Sequence, residues 1–344
     1  MRAARWHGRQ DVRVEEVPDP EPARDELILD VLWCGICGTD LEEYREGPIT
    51  IPIDPHPLRG TRAPIVLGHE IVGTVRQAAA DGSGPAVGTL VVPDVVIGCG
   101  DCWWCLRHEE GLCPNLAVRG QTQDGGLAQR MVARASTCLT VPEGTPAADA
   151  ALVEPASVAV RALRKVPDLI GARIGVVGGG TVGQLVARTA LALGAQVTVV
   201  VDPRQSRRDR ALAHGAATAV PPAEAAGLGA VCDAVIECSG AGGALTQALA
   251  LTRPGGTVVA LGIKSEADTI GTTALVLSEK HLVGSAAHLW DVDSRPALAL
   301  IASGAVPVED LVTHRVPLAD VVTAGFGALA DPSDDVLKVL VDCR

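Results

Sequence analysis

Arg173-Ile174-Gly175-Val176-Val177-Gly178-Gly179-Gly180-Thr181-Val182-Gly183 decides the fold of the second half of this chain. An apolar run of strand length enters three glycines, and the apolar-periodic stretch Val182–Leu193 leaves them as a helix. Gln196–Asp202 reads as the next strand and ends on an acidic residue about twenty positions after the glycines. Strand, glycine turn, helix, strand and acid in that order are the fingerprint of a dinucleotide site. Gly178, Gly180 and Gly183 let backbone approach a pyrophosphate at the N-terminus of the helix that Val182 enters, and Asp202 can bind ribose hydroxyls. A plain tight turn between strand and helix is the competing reading. The Asp202 carboxylate would repel a 2′-phosphate, which favours NAD over NADP. Arg204, Arg207 and Arg208 pull the other way, because guanidinium groups hold phosphates, and Arg207 counts among the cofactor-binding candidates.

Outward from this turn the alternation continues. Gln205–His214 reads as a helix, Ala234–Cys238 as a strand, Ala244–Thr252 as a helix and Thr257–Leu261 as a strand. Such alternation means βαβ units and a doubly wound parallel sheet, an α/β fold. Upstream the character changes. Leu27–Cys34, Ile71–Gln77, Thr89–Pro93, Met131–Ala133 and Cys138–Val141 are short β-like runs separated by Gly and Pro, and Ala78–Gly84 is a surface turn. That spacing predicts a barrel-like region. Downstream, Arg295–Ser303 and Leu318–Leu329 are helix-like, and Val336–Val341 is a final strand.

A length of 344 residues suits two domains. Hydrophobic residues make up 47%, but there are only 5 Trp, 1 Tyr and 1 Phe, so the core must be built from Val, Leu, Ile and Ala. A net charge of −12 repels phosphate backbones and argues against a nucleic-acid partner. The first residues form no apolar leader and no uninterrupted apolar run is long enough for a membrane span, so the expected location is the cytoplasm.

Ten cysteines set the chemistry. Four of them, in Cys99-Gly100-Asp101-Cys102-Trp103-Trp104-Cys105 and at Cys113, crowd one loop. Four thiolates so close can surround a tetrahedral ion, and an all-cysteine site is the structural kind of zinc site. Incidental buried cysteines, or a redox pair of Cys102 and Cys105, explain the density less well. A second set is dispersed: Cys37 in Gly35-Ile36-Cys37-Gly38-Thr39-Asp40, His69 in Gly68-His69-Glu70, and Glu154 in Val153-Glu154-Pro155. A mixed Cys/His/Glu set is the pattern of a catalytic zinc with one open position. Spacing alone leaves this reading open, since a His beside a Glu is as readily a satisfied polar pair.

The order of these motifs resembles the zinc-containing medium-chain dehydrogenase/reductase family over nearly the whole chain. The closer likeness is to the group of 2,3-butanediol and sorbitol dehydrogenases, carried by Gly47-Pro48-Ile49-Thr50-Ile51-Pro52, Pro55-His56-Pro57-Leu58 and the tail Val312–Leu318. The resemblance implies two zinc ions per chain, one held by the four cysteines and one by Cys37, His69 and Glu154, with Glu70 as an alternative ligand. It implies a GroES-like β-barrel catalytic domain over 1–157 and 296–344, and a Rossmann domain over 158–295 that carries NAD and makes the dimer or tetramer contact. The reaction implied is interconversion of a secondary alcohol and a ketone by hydride transfer, on a vicinal diol, hydroxyketone, polyol or cyclitol-like ring. Zinc would act as a Lewis acid, and Thr39 would take the first proton. The chain departs from the family at Glu42, where the butanediol and sorbitol enzymes carry the histidine that ends a proton relay. Glu42 is expected to stand in for it, within a polar rim of Glu42, Glu43, Tyr44 and Gln129. Further departures are Gly88-Thr89-Leu90-Val91 and Gln129-Arg130. A non-catalytic sensor on the same fold is the alternative. A zinc-independent quinone reductase is a third reading, against which Cys37, His69 and the four-cysteine loop argue.

Overall fold

The computed structural model describes residues 1–263, 268–331 and 335–344. The chain divides into two compact units. One comprises Met1–Glu154, His288–Ala302 and Val308–Arg344. Its backbone is the long strand Glu26–Ile36, in which inward residues alternate: Leu27 and Leu29 are fully buried and Val31 nearly so. The sheet runs in the order Cys138–Thr140, Leu90–Pro93, Glu70–Gln77, Glu26–Ile36, Lys338–Asp342, Val312–Pro317, and Arg130–Arg134 also pairs with the long strand. A smaller sheet joins Asp11–Glu16, Arg2–Gly8 and Ile65–Val66. Strand register gathers three polar residues. Gly35 pairs with Glu70 on one side and with Leu340 on the other, which draws Cys37, Glu70 and Lys338 to one end of the sheet. Gly35 has to be glycine, because the Glu70 side chain fills the place a Cβ would take.

The other unit comprises Pro155–Ala287 and Ser303–Pro307. Its sheet of six strands is parallel throughout, in the order Ala219–Val220, Gln196–Val201, Arg173–Val177, Cys232–Glu237, Thr252–Ala260, His281–Gly284. This is the doubly wound order of a Rossmann domain. Ile174, Val176, Val235, Ile236, Val258 and Val259 are all fully buried, as expected for strands covered on both faces. Leu185, Val186 and Ala190 of the helix Thr181–Ala192 are equally buried.

Three sequence expectations change in detail. The strand expected at Thr257–Leu261 begins at Thr252, which pairs with Cys232. The register then jumps so that Ala234 faces Thr257, and Arg253-Pro254-Gly255-Gly256 bulges between, which is why it reads as a breaker. The helix expected over Leu318–Leu329 is broken into the 3-10 turn Leu318–Asp320, the π-helical Val321–Phe326 and a last turn Gly327–Ala330. Gly325 and Gly327 weaken it by roughly 0.5–1 kcal/mol each, and the widened turn buries Phe326 against Tyr44, ring centroids 5.1 Å apart. The final strand is Lys338–Asp342, two residues later at its start than the expected Val336–Val341. Among the described residues no helix is long and apolar enough to cross a membrane.

Candidate functional site

The four-cysteine loop converges. The sulfurs of Cys99, Cys102, Cys105 and Cys113 all lie within 4.8 Å of one another. Backbone N–H groups point at two of them: the Cys105 N–H donates to Cys102 Sγ and the Cys99 N–H to Cys113 Sγ, each at 3.4 Å. The first of these bonds pulls the Cys102 thiol down to about 7, so a large thiolate fraction exists at neutral pH. A donor set of this kind and closeness fits tetrahedral zinc.

The second set gathers at the end of the sheet. Cys37 ends the strand connection and N-caps the helix Gly38–Glu46, which sets its sulfur beside the first turn. Asp40, in that turn, accepts the Cys37 N–H on Oδ2 at 2.9 Å. Its Oδ1 stands 3.6 Å from His69 Nδ1, and both groups are buried. The carboxylate faces Nδ1 of His69 without reaching hydrogen-bond distance, and Nε2, 3.5 Å from Thr39 Oγ1, is the nitrogen on the side away from it. Burial alone would lower the His69 pKa, but Asp40 and the adjacent Cys37 outweigh it and hold it well above the usual value.

Glu70, expected as an alternative ligand, has both carboxylate oxygens on the buried Lys338 ammonium, at 2.5 and 2.7 Å. Lys338 also donates to the Ile36 carbonyl at 3.0 Å. Burial still raises the Glu70 pKa, with Lys338 opposing. Glu154 lies in the first turn of the helix Val153–Leu163, and its Oε1 is 3.4 Å from His288 Nε2. Among the described residues the four cysteines are the one group of three or more donors mutually within 4.8 Å, so Cys37, His69 and Glu154 are less tightly drawn together. By chemistry the second set still suits a zinc with an open position: a cysteine at a helix N-terminus, an imidazole, and a carboxylate only 11% exposed.

The expected polar rim is different in kind. Glu43 is buried and accepts hydrogen bonds from the N–H groups of Ile49 and Thr50 and from the Thr50 hydroxyl, so it staples the loop after the helix. Gln129 accepts the Arg2 N–H at 2.9 Å and ties down the first strand. Tyr44 stacks on Phe326. Only Glu42 of the four keeps an exposed carboxylate with no hydrogen bond or ion pair to a described residue, and partial burial raises its pKa. Sequence reasoning also passed over Asp40, His288 and Lys338. Asp40 lies one helical turn from Cys37, which is a readable signal. The other two stand far along the chain with no local motif.

In the Rossmann unit, Gly178 takes φ +96°, a conformation suited to glycine, and a Cβ at Gly183 would collide with the Gly178 carbonyl. The Gly179 N–H donates to Asp202 Oδ2 and the Arg204 N–H to Oδ1, both at 2.8 Å. Asp202 is buried, and an Arg207 nitrogen lies 3.6 Å from Oδ2. Arg208 donates to the carbonyls of Asp202 and Pro203 and so turns back on the backbone. A cavity of about 400 Å³ opens here, lined by Gly178, Gly180, Asp202, Arg207 and Ser239 among others. Val182 sits in the first turn of the helix beside it. The glycine cradle, carboxylate and guanidinium fit the adenosine and pyrophosphate portion of a dinucleotide.

The sequence matches the Alcohol dehydrogenase GroES-like domain over residues 23–143 and the Zinc-binding dehydrogenase domain over 181–303. The (R,R)-butanediol dehydrogenase of Bacillus subtilis (strain 168) is 32% identical, with 99% of each chain covered. The sorbitol dehydrogenase of Bombyx mori is 31% identical, with 92% of each covered. Among solved structures, a zinc-binding dehydrogenase of Sinorhizobium meliloti 1021 bound to NADP superposes with a TM-score of 0.88 at 28% identity, covering 99% of this chain and 98% of that one.

Proposed function

The chain belongs to the zinc-binding alcohol dehydrogenase family, and from that premise we propose that it interconverts a vicinal diol, polyol or cyclitol-like alcohol and its ketone, with NAD preferred. The observation that carries this reading is Cys37 at a helix N-terminus beside His69, whose Nδ1 faces Asp40. The named relatives support the substrate class, since their names are those of diol and polyol dehydrogenases.

Cys37, His69 and Glu154 would hold the catalytic zinc, which supplies Lewis-acid character toward a substrate oxygen. The glycine turn and Asp202 would hold the dinucleotide, the hydride carrier. The remaining work falls to side chains of this protein. Asp40 faces Nδ1 of the His69 ring, which leaves Nε2 for the metal, and Cys37 offers its sulfur at the helix N-terminus. The Thr39 hydroxyl, which donates and accepts at once, takes the substrate proton and passes it on. Glu42, exposed and without an ion pair among the described residues, delivers it to solvent. The Asp202 carboxylate would repel a 2′-phosphate, while Arg207, 3.6 Å from it, would lessen that repulsion. We further assign the protein to the reducing cytosol, in keeping with ten free cysteines, and to a homodimer or homotetramer.

Metal analysis together with NADH absorbance tests the reading, using acetoin, a linear polyol and a cyclitol as substrates. Two zinc ions per chain and turnover with at least one of these are expected. Two zinc ions with no turnover on any alcohol, under either cofactor, would favour a non-catalytic sensor.

A further inference from the structure

His288 is the buried group that the reaction leaves without a role. The residue is 2% exposed, in a wall of polar atoms. Its Nδ1 lies 3.2 Å from Ser294 Oγ and 3.8 Å from Asp94 Oδ1, and its Nε2 lies 3.4 Å from Glu154 Oε1. The turn that carries it is tied off independently. Asp293, fully buried, accepts the Leu289 N–H at 2.8 Å, and the N–H groups of Asp293 and Ser294 both donate to the Leu289 carbonyl. An imidazole taken out of water needs partners for its nitrogens. Here one nitrogen is anchored from behind, and the other has a single carboxylate in front of it.

We propose that His288 is a positioning residue for Glu154: anchored by Ser294 and Asp94, its ring holds one oxygen of the Glu154 carboxylate and leaves the other for the catalytic metal. This rests on Glu154 being a ligand of that metal. Partners that orient a ligand carboxylate typically contribute about 10–100-fold to metal affinity.

The test uses the full-length protein carrying cobalt(II) at the catalytic site and zinc at the four-cysteine site. Chelator competition, followed through the visible cobalt absorption, gives the affinity. His288→Asn places an amide near Nδ1 and loses the contact with Glu154, whereas His288→Gln carries a donor close to the position of Nε2. Cobalt affinity should fall about 10–100-fold in His288→Asn and only a few-fold in His288→Gln. Glu154→Gln should weaken cobalt strongly, and adding His288→Asn to it should weaken cobalt no further. Wild-type affinity in His288→Asn, equal losses in the Asn and Gln variants, or additive losses in the double variant overturn the positioning role while leaving Glu154 a ligand. Unchanged affinity in Glu154→Gln removes Glu154 from the metal and the proposal with it.

Discussion

Cys37 is placed by its neighbours: a strand that ends beside it, a helix that begins at it, and Asp40 accepting its N–H. Because its side chain contributes no more to the fold than one helix cap, Cys37→Ala should still fold, lose one of two zinc ions and lose turnover. Metal analysis beside circular dichroism checks this, and a misfolded protein would contradict it. Asp202 has two tasks, since its carboxylate also binds the N–H groups of Gly179 and Arg204. Asp202→Ala should weaken NAD by roughly 1–3 kcal/mol and narrow the gap to NADP. Steady-state kinetics with both cofactors decides, and a wild type that prefers NADP would give Arg207 the upper hand. Glu42, raised by burial from its usual value, should limit alcohol oxidation only as it gains a proton, so the rate should fall on the acid side of that pKa. Glu42→Gln should remove that limb, and Glu42→His should move one toward about 6.5. An unchanged profile in Glu42→Gln would end its relay role. At this scale the legible residues were those inside a motif. Gly-His-Glu and Gly-Ile-Cys-Gly-Thr-Asp can be read in one window, whereas His288 and Lys338 act through partners 134 and 268 residues away, a distance no local pattern spans. Glu42 and Glu43 differ by one helical step, yet one is exposed and the other is a buried staple, because 100° of helix rotation separates solvent from loop.

The four-cysteine loop is an element with little core of its own: Trp103, Trp104, Leu106 and Leu112 are all exposed, and its helical pieces are single 3-10 turns. Its order must come from the metal, whose binding energy is folding energy. Cys102→Ser, or prolonged chelation, should lower thermal stability and open this loop to proteolysis, while the dinucleotide turn stays protected. Equal protease sensitivity with and without metal would argue against a structural role. In the Rossmann sheet, Asp233 joins the strand Cys232–Glu237 to its neighbours, pairing with Arg173 at 3.1 Å and Arg253 at 2.5 Å. Those arginines, with backbone help, hold the Asp233 carboxyl at about 2. A depressed folded pKa means stability that is full above the unfolded value near 3.8 and lost as pH falls through about 2. Both arginines are about half exposed, so solvent screening limits Asp233→Asn to a loss of roughly 0.2–1 kcal/mol at neutral pH. That loss should vanish near pH 2, as urea titrations at both pH values would record. Elements were legible where period and length agreed, as in Arg173–Val177 and its helix. They were misread where glycine or proline stayed inside an element, as in the bulge of Thr252–Ala260 and the widened turn at Val321–Phe326.

The two ends of the Rossmann sheet treat their edges differently, and this bears on assembly. At one end Ala219–Val220 is only two residues long, a short edge that offers little to pair with. At the other, His281–Gly284 pairs with only one described strand, Thr252–Ala260, and Leu282 is 38% exposed. The helix Thr272–Leu277 shortly before it exposes Val276 at 69% and Leu277 at 81%. Apolar side chains scattered singly on a surface need no explanation, but three on one short stretch at an edge strand do. Antiparallel pairing of His281–Gly284 with the same strand of a second copy would satisfy the edge and cover the leucines, and it is self-complementary as a twofold contact requires. The wild type should therefore have a mass of at least twice 35.3 kDa by light scattering. Leu277→Lys combined with Leu282→Lys should shift it toward the single-chain mass by setting like charges across the twofold axis. The dinucleotide turn is built from Gly178–Gly183, Asp202 and Arg207 of one unit, none of them near this edge in the strand order. Cofactor binding, read by fluorescence quenching, should accordingly survive in the dissociated variant. A wild type of single-chain mass would remove the dimer, and an unchanged mass in the double variant would move the contact to another surface.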